Sequence, residues 1–311
     1  MKNQRATAHL LALGTALVWG TTFIATKILL LEFSPVEILI DRFIIGYLVM
    51  LAIKPRLLRF HSWKEERMFI GAGLTGLVFY YLLENIALTD TLASNVSVIV
   101  SIAPMFTALL SRIVWKQEKL RKTFVLGFFL AIMGIAIISF SGGTVSFHPV
   151  GDLLCVLAAA MWAIYSVLCK KISALGYPTI LTTRRIFFYG ILLMIPFGVG
   201  MQFRWGLHRF LNGANLGYFL FLGVLASALC FMTWNWSVGV LGAVHTSAYI
   251  YLIPVVTVVT AVLILHEPIT WPSAIGMVLA LSGLILSEWK PKQQQEGQLV
   301  ENEFLPEKNE I

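Results

Sequence analysis

The chain has 311 residues, 58% of them hydrophobic and 13% charged. That balance excludes a water-soluble globular domain, which could not hide so much apolar surface. The formal net charge of +7 is carried by short basic segments between apolar stretches, a topology signal rather than a nucleic-acid footprint.

The apolar runs are continuous and do not alternate, which excludes a membrane β-barrel and points to an all-α integral membrane fold. Each run is about 20 residues long, the length that crosses a bilayer as a helix. The predicted spans are 8–30, 35–53, 67–88, 91–113 and 123–140, then 151–172, 178–198, 214–237, 242–265 and 272–289. The first lacks a small-residue cleavage site and runs straight into the second, so it reads as a membrane helix and not a removable signal. Span one holds Trp19, Phe23 and Lys27, and span two Glu37, Asp41 and Arg42. Span three holds Tyr80, Tyr81, Glu84 and Asn85; span four has Asn95, Ser97 and a central Pro104. Span five spaces Gly127, Ala131 and Gly134 along one face. Residues 290–311 are polar and rich in Gln and Glu, which predicts a disordered cytoplasmic tail.

The second five spans repeat the first. A shift of 143 places Trp19 on Trp162, Lys27 on Lys170, Pro35 on Pro178 and Arg42 on Arg185. A shift of 150 places Gly73 on Gly223, Asn85 on Asn235, Ala93 on Ala243, Ser97 on Ser247 and Pro104 on Pro254. At 149, Gly127, Ala131 and Gly134 fall on Gly276, Ala280 and Gly283. The expected units are therefore 1–143 and 144–289. An odd number of spans per copy turns the second copy upside down, giving two inverted five-helix repeats among ten transmembrane helices.

Charge agrees with that topology. Sixteen basic residues fall on one side: Lys2, Arg5, Lys54, Arg56, Arg59, Lys64, Arg67, Arg112, Lys116, Lys119, Arg121, Lys122, Lys170, Lys171, Lys290 and Lys292. Only Arg204 and Arg209 fall on the other. This places both termini in the cytoplasm of a multi-pass protein in the cell membrane. The basic segment 112–122 corresponds to 266–271, which has no Lys or Arg, as an inverted copy requires.

Ionisable groups inside a bilayer are costly and therefore informative. Glu37 and Asp41 share a helix face and read as an ion-pair cluster neutralising Lys27 and Arg42. Glu84 reads either as a hydrogen-bonded helix-end residue or as a group that binds a substrate ammonium or carries a proton; its counterpart in copy two is Trp234. The inner-half cations Lys170, Arg184 and Arg185 have no acid nearby in sequence and could meet lipid phosphates, helix C-termini or a substrate anion. Trp19, Phe23, Tyr80, Tyr81, Trp162, Tyr165, Trp234, Tyr249 and Tyr251 form an aromatic set that either packs the bundle or lines a cavity. Asn85, Asn95, Ser97, Asn235 and His245 supply amides, a hydroxyl and an imidazole near helix ends. Pro104 and Pro254 each delete a helical hydrogen bond, as a hinge lining a path or as a static kink. The small-residue faces of spans five and ten suit close helix packing, within the bundle or between protomers.

The order and double occurrence of certain pieces resemble the drug/metabolite transporter superfamily, EamA type. The pieces are Trp19-Gly20-Thr21-Thr22-Phe23, Pro35 with Arg42-Phe43, Ala103-Pro104, and Glu118 ahead of Gly127. In copy two they are Trp162, Pro178 with Arg185, Ile253-Pro254, and His266-Glu267-Pro268 ahead of Gly276. Copy two departs at Ala163 for Gly20 and Ile186 for Phe43. The resemblance implies movement of small metabolites, amino acids or drugs by alternating access, commonly outward and without ATP.

The expected function is a secondary transporter of small metabolites, an amino-acid or related metabolite exporter. One alternative is a multidrug or organic-cation exporter working by proton exchange; another, of a different class, is a passive pore or membrane scaffold. No enzyme is expected: there is no nucleophile motif, no phosphate loop and no zinc motif, and the six histidines are scattered. No cofactor, metal or nucleic acid is expected. The bilayer and a small solute are the expected partners, with a homodimer possible. Cys155, Cys169 and Cys230 lie within spans at no ligand spacing and read as packing residues. Spans three and four are expected to close an outer gate around Glu84, Asn85 and Asn95, and spans eight and nine an inner gate around Asn235 and His245. Accessibility mapping with impermeant thiol reagents should place 54–67 and 200–213 on opposite faces of the membrane; labelling from the same face would overturn the inverted arrangement.

Overall fold

The computed structural model describes residues 2–115, 122–140, 149–201, 203–204 and 206–288. The expected tail at 290–311, and Lys116, Lys119 and Arg121 of the basic segment, lie outside the described residues. Helical rods follow in chain order: α1 Lys2–Leu29, α2 Pro35–Ile53, α3 Trp63–Asp90, α4 Ala93–Trp115 and α5 Lys122–Phe140, then α6 Pro149–Ser173, α7 Thr179–Gly200, α8 Gly213–Leu241, α9 Ala243–Leu265 and α10 Trp271–Glu288. No strand occurs among the described residues.

Ten crossings were expected; among the described residues seven rods are long and apolar enough to cross a membrane by length and composition: α1, α3, α4, α6, α7, α8 and α9. The 19 residues of α2 include Glu37, Asp41 and Arg42, and α5 and α10 carry the apolar stretches Lys122–Ile137 and Ala274–Gly283 among the described residues. Leu192, Ile195, Val199, Val259 and Leu263 are among many large apolar side chains left exposed on the outside of the bundle, the arrangement that suits hydrocarbon as solvent.

Local chemistry sets the rod ends. Ser34 and Glu37 form a capping box on α2, with Pro35 at the first helical position. Between α8 and α9 the chain turns on Gly242 at φ 90°, a conformation that a Cβ disfavours. Lys27 Nζ donates to Leu88 O (2.5 Å) and Thr91 O (2.9 Å) at the end of α3. Its repeat counterpart Lys170 donates to Gly239 O (2.8 Å) at the end of α8. Each lysine thus satisfies the orphan carbonyls closing the third helix of its own copy. The carboxylates of span two, expected to neutralise Lys27, do not do so.

Packing runs between the copies and comes in matched pairs. The first helix of each copy lies against the third and fourth of the other: α1 on α8 and α9, α6 on α3 and α4. α2 packs on α7 and α8, and α7 on α2 and α3. α5 and α10 pack on each other: a Cβ on Gly134 would stand 2.6 Å from Gly276 O, and one on Gly283 would stand 2.6 Å from Gly127 O. Gly127 therefore faces Gly283 and Gly134 faces Gly276, so these two corresponding helices run antiparallel. The small-residue faces are used within the bundle.

Gly134→Leu and Gly283→Leu should each destabilise the bundle by about 1–3 kcal/mol through overpacking. Gly14→Leu, where a Cβ meets nothing within 4 Å, should leave the melting temperature in detergent micelles unchanged.

Candidate functional site

The two repeat tryptophans meet at the centre. The rings of Trp19 on α1 and Trp162 on α6 stand edge to face at 5.2 Å. Trp234 on α8 packs 4.9 Å from Trp19, and Tyr80 on α3 and Tyr165 on α6 pack 4.8 and 5.0 Å from Trp162. Phe231 joins the group at 5.5 Å from Trp19. Each such pair contributes about 0.5–1.5 kcal/mol beyond area burial. Trp19 Nε1 donates to Ala226 O at 3.0 Å, a carbonyl within the π-helical stretch Phe221–Leu229 of α8. A matching π-helical stretch, Leu74–Phe79, loosens α3.

A cavity opens beside this cluster, lined from α1 by Trp19, Thr22 and Phe23, from α3 by Tyr80, Tyr81 and Glu84, and from α6 by Trp162. The remaining wall is Val100 and Ala103 on α4 and Ile250 and Ile253 on α9. These lie four and one residues before Pro104 and Pro254, and the two pairs coincide under the shift of 150. The helix of α4 is interrupted at Ser101–Ile102, and α9 tightens into a 3₁₀ turn over Ala248–Leu252. Beyond each proline a threonine bonds back: Thr107 Oγ1 to Ala103 O at 2.9 Å, and Thr257 Oγ1 to Ile253 O at 3.0 Å and across to Gly20 O at 2.7 Å. The space open at the centre is about 20 Å³, room for a single water. The site is narrow, and its lining side chains are buried.

One end of the bundle is bonded across the two copies. Glu267, in the link from α9 to α10, accepts from Ala93 N (2.7 Å), Ser94 N (3.1 Å) and Ser94 Oγ (2.7 Å), binding copy two to the first turn of α4 in copy one. His266 beside it is left-handed at φ 53°, an uncommon state for a residue with a side chain. At the same end Glu37 pairs with Arg209 (2.8 Å) and accepts from Arg204 N (3.0 Å). Hydrogen bonding to Glu37 raises Arg209 above the ordinary arginine range. At the opposite end Arg185 forms a two-point pair with Glu66 (2.6 and 3.2 Å), and Arg184 donates to the carbonyls of Met50, Lys54 and Arg56 at the end of α2. That end also holds a vestibule of about 200 Å³ lined by Cys169, Ser173, Tyr177, Thr182, Asn235 and Trp236, among others. Between vestibule and centre runs a chain in which Tyr165 OH donates to Asn235 Oδ1 (2.7 Å) and Asn235 Nδ2 donates to Thr183 Oγ1 (3.0 Å).

Of the residues singled out in sequence, Trp19, Phe23, Tyr81, Glu84 and Trp162 line the central cavity, and Tyr165, Trp234 and Asn235 stand behind it or in the inner chain. Asn85, Asn95, Ser97, His245 and Tyr249 are not in its lining. Asn85 Nδ2 donates to Pro35 O at 3.2 Å, and Ser97 Oγ to Ser94 O at 2.8 Å. Tyr249 meets His9 Nδ1 at 2.7 Å, His245 is exposed on the first turn of α9, and Asn95 is half-buried on the first turn of α4. Sequence reasoning missed the aliphatic walls, for which the matched prolines were the available signal, and placed Arg42 in an ion-pair cluster with Glu37 and Asp41. Arg42 Nε instead donates to Ser227 Oγ at 3.1 Å.

The sequence model of the EamA-like transporter family matches the chain twice, over residues 6–140 and 149–289. An uncharacterized transporter of Archaeoglobus fulgidus is 28% identical over 92% of this chain and 98% of that protein. The uncharacterized transporter YyaM of Bacillus subtilis is 28% identical over 89% and 92%. A probable terminal-alkyne amino-acid exporter of Streptantibioticus cattleyicolor is 25% identical over 88% and 90%. A solved crystal structure, 21% identical, shares the fold with a TM-score of 0.63 over 90% of this chain and 97% of that one. With the family pattern present in both halves and the two halves meeting around one central cavity, the chain belongs to the EamA-like transporter family.

Proposed function

We propose that this chain is a secondary carrier that exports an amino acid or related small metabolite by alternating access. The observation that carries the proposal is the narrow cavity built by both copies at their matched proline breaks, with one end of the bundle bonded across the copies and a vestibule at the other. The reading has two inverted five-helix units, 1–143 and 144–289, with ten crossings and both termini in the cytoplasm; the antiparallel pairing of α5 and α10 supports inversion. The vestibule end then faces the cytoplasm and the Glu267 seal faces outward. Solute enters past Asn235 and Tyr165, reaches the aromatic centre and leaves when the outer seal parts, α4 and α9 flexing at Pro104 and Pro254. Gates around Asn85 and Asn95 outside and His245 inside belong to the same reading. The relative from Streptantibioticus cattleyicolor, named a probable amino-acid exporter, supports the substrate class.

A second reading, an organic-cation exporter driven by proton exchange, is favoured by a carboxyl, Glu84, set among aromatic rings. A passive pore is disfavoured by a centre with room for one water.

Purified protein in liposomes should show saturable counterflow of a solute drawn from an unbiased screen; a linear, non-saturating leak would instead indicate a pore. Glu84→Gln should abolish that exchange or its pH dependence, and full flux with unchanged pH dependence would remove proton handling by this residue.

Glu267→Ala removes three hydrogen bonds to a carboxylate, each contributing about 1.5–3 kcal/mol. With Cys155, Cys169 and Cys230 replaced, a cysteine at Thr22 should then react with an external impermeant maleimide about tenfold faster or more. An unchanged rate would place the outer seal elsewhere.

A further inference from the structure

Four carboxylates are buried among the described residues: Glu37, Glu66, Glu84 and Glu267. Three are saturated. Glu37 accepts from Ser34 N, Arg204 N and two nitrogens of Arg209. Glu66 accepts from two nitrogens of Arg185 and from Tyr189 OH, and Glu267 accepts from Ala93 and Ser94. Glu84 differs: its Oε2 is buried with no partner, and the residue lines the central cavity.

The buried arginines divide the same way. Arg184 bonds three carbonyls of the α2 end. Arg42 is fully buried, and only its Nε is bonded; Nη1 and Nη2 have no partner. Its repeat counterpart Arg185 has Glu66; Arg42 has no carboxylate at ion-pair distance among the described residues, and Glu84 acts on it only at longer range. Its guanidinium lies over the Tyr81 ring, 4.5 Å from the centroid. Tyr81 lines the cavity one helical turn before Glu84. Two opposite charges therefore flank the site, each with unmet hydrogen-bonding atoms, and no ion pair joins them.

We propose, resting on the carrier reading above, that Glu84 and Arg42 recognise the two ends of a zwitterionic solute. The Glu84 carboxylate takes the ammonium, the Arg42 guanidinium takes the carboxylate, and Tyr81 is the shutter that uncovers the guanidinium as the cavity widens. A buried charge left unpaired is penalised heavily. A solute with one group of each sign satisfies both residues and adds no net charge to the site. An amine leaves Arg42 uncompensated, and an acid leaves Glu84 so. Trp19, Tyr80 and Trp162 around Glu84 favour an ammonium there by cation–π attraction, while Phe23, Val100 and Ile250 accommodate an apolar side chain.

The test is tryptophan fluorescence of the purified full-length chain in detergent at neutral pH, titrated with two matched sets of probes. The sets are L-leucine, isopentylamine and 4-methylpentanoate, and L-phenylalanine, 2-phenylethylamine and 3-phenylpropanoate. In at least one set the amino acid should bind about ten- to a hundredfold more tightly than both truncated partners. Arg42→Met should erase the advantage over the amine alone, and Glu84→Gln the advantage over the acid alone, a crossed pattern that general misfolding cannot produce. If either variant fails to fold, Arg42→Lys and Glu84→Asp should keep the amino-acid preference at reduced affinity; loss of that preference would count against the assignment. Equal binding of a truncated partner by the unaltered chain, no binding of any probe, or equal effects of both variants on both comparisons would overturn it. Saturable counterflow of a solute lacking paired charges would overturn the charge assignment while leaving the carrier reading intact; no saturable exchange of any solute would remove both.

Discussion

A backbone group released from a helix inside hydrocarbon must find a protein partner or face a wet cavity. The irregular turns of this bundle obey that constraint, and the site depends on it. The interruption of α4 at Ser101–Ile102, the tightened turn of α9 at Ala248–Leu252 and the π-helical stretches of α3 and α8 border the central cluster, while a further π-helical stretch of α9, Ala261–Leu265, lies on the outside with Val262, Leu263 and Ile264 exposed. Trp19 uses a carbonyl of one such stretch, and the hydroxyls of Thr107 and Thr257 bond carbonyls beside the proline breaks. Beside those inward irregular turns stand the central aromatic rings and Glu84.

Duplication explains how one chain builds a site between two halves. The framework is shared: Lys27 and Lys170 close equivalent helices, Trp19 and Trp162 meet face to edge, and each first helix lies on the third and fourth helices of the other copy. The chemistry is not shared. Glu84 stands where copy two has Trp234, and Arg42 has no carboxylate at ion-pair distance among the described residues, where Arg185 holds Glu66. Framework symmetry supplies two comparable packing arrangements, while asymmetric substitution at the centre gives the cavity its polarity.

The charged groups separate into two kinds by how well they are satisfied. Glu37 with Arg209, Glu66 with Arg185 and Glu267 on the start of α4 tie the copies together near the bundle ends, with every carboxylate oxygen bonded. Such contacts are costly to break, since breaking them exposes charges whose compensation in lipid is poor. Glu84 and Arg42 hold nothing closed; they carry unmet bonding capacity at the middle. Structural charges thus sit at the ends and available charges at the centre, a distribution consistent with the proposed carrier.

Much of this was legible from the sequence because it rests on local composition or on repetition. Apolar run length set the all-helical membrane class, the shifts of 143 and 150 exposed the duplication, and Trp19, Glu84 and the prolines stood out as costly or paired features. Sequence could not choose partners for charges, because a partner is fixed by which helices touch. Arg209 reaches Glu37 across 172 residues and Arg185 reaches Glu66 across 119, while Glu37 and Asp41, close to Arg42 in the chain, leave it unpaired. The sequence alone determined that the chain is a duplicated helical membrane protein with polar groups inside; only the packing of one copy against the other decided which of those groups are bound up in structure and which are left free at the centre.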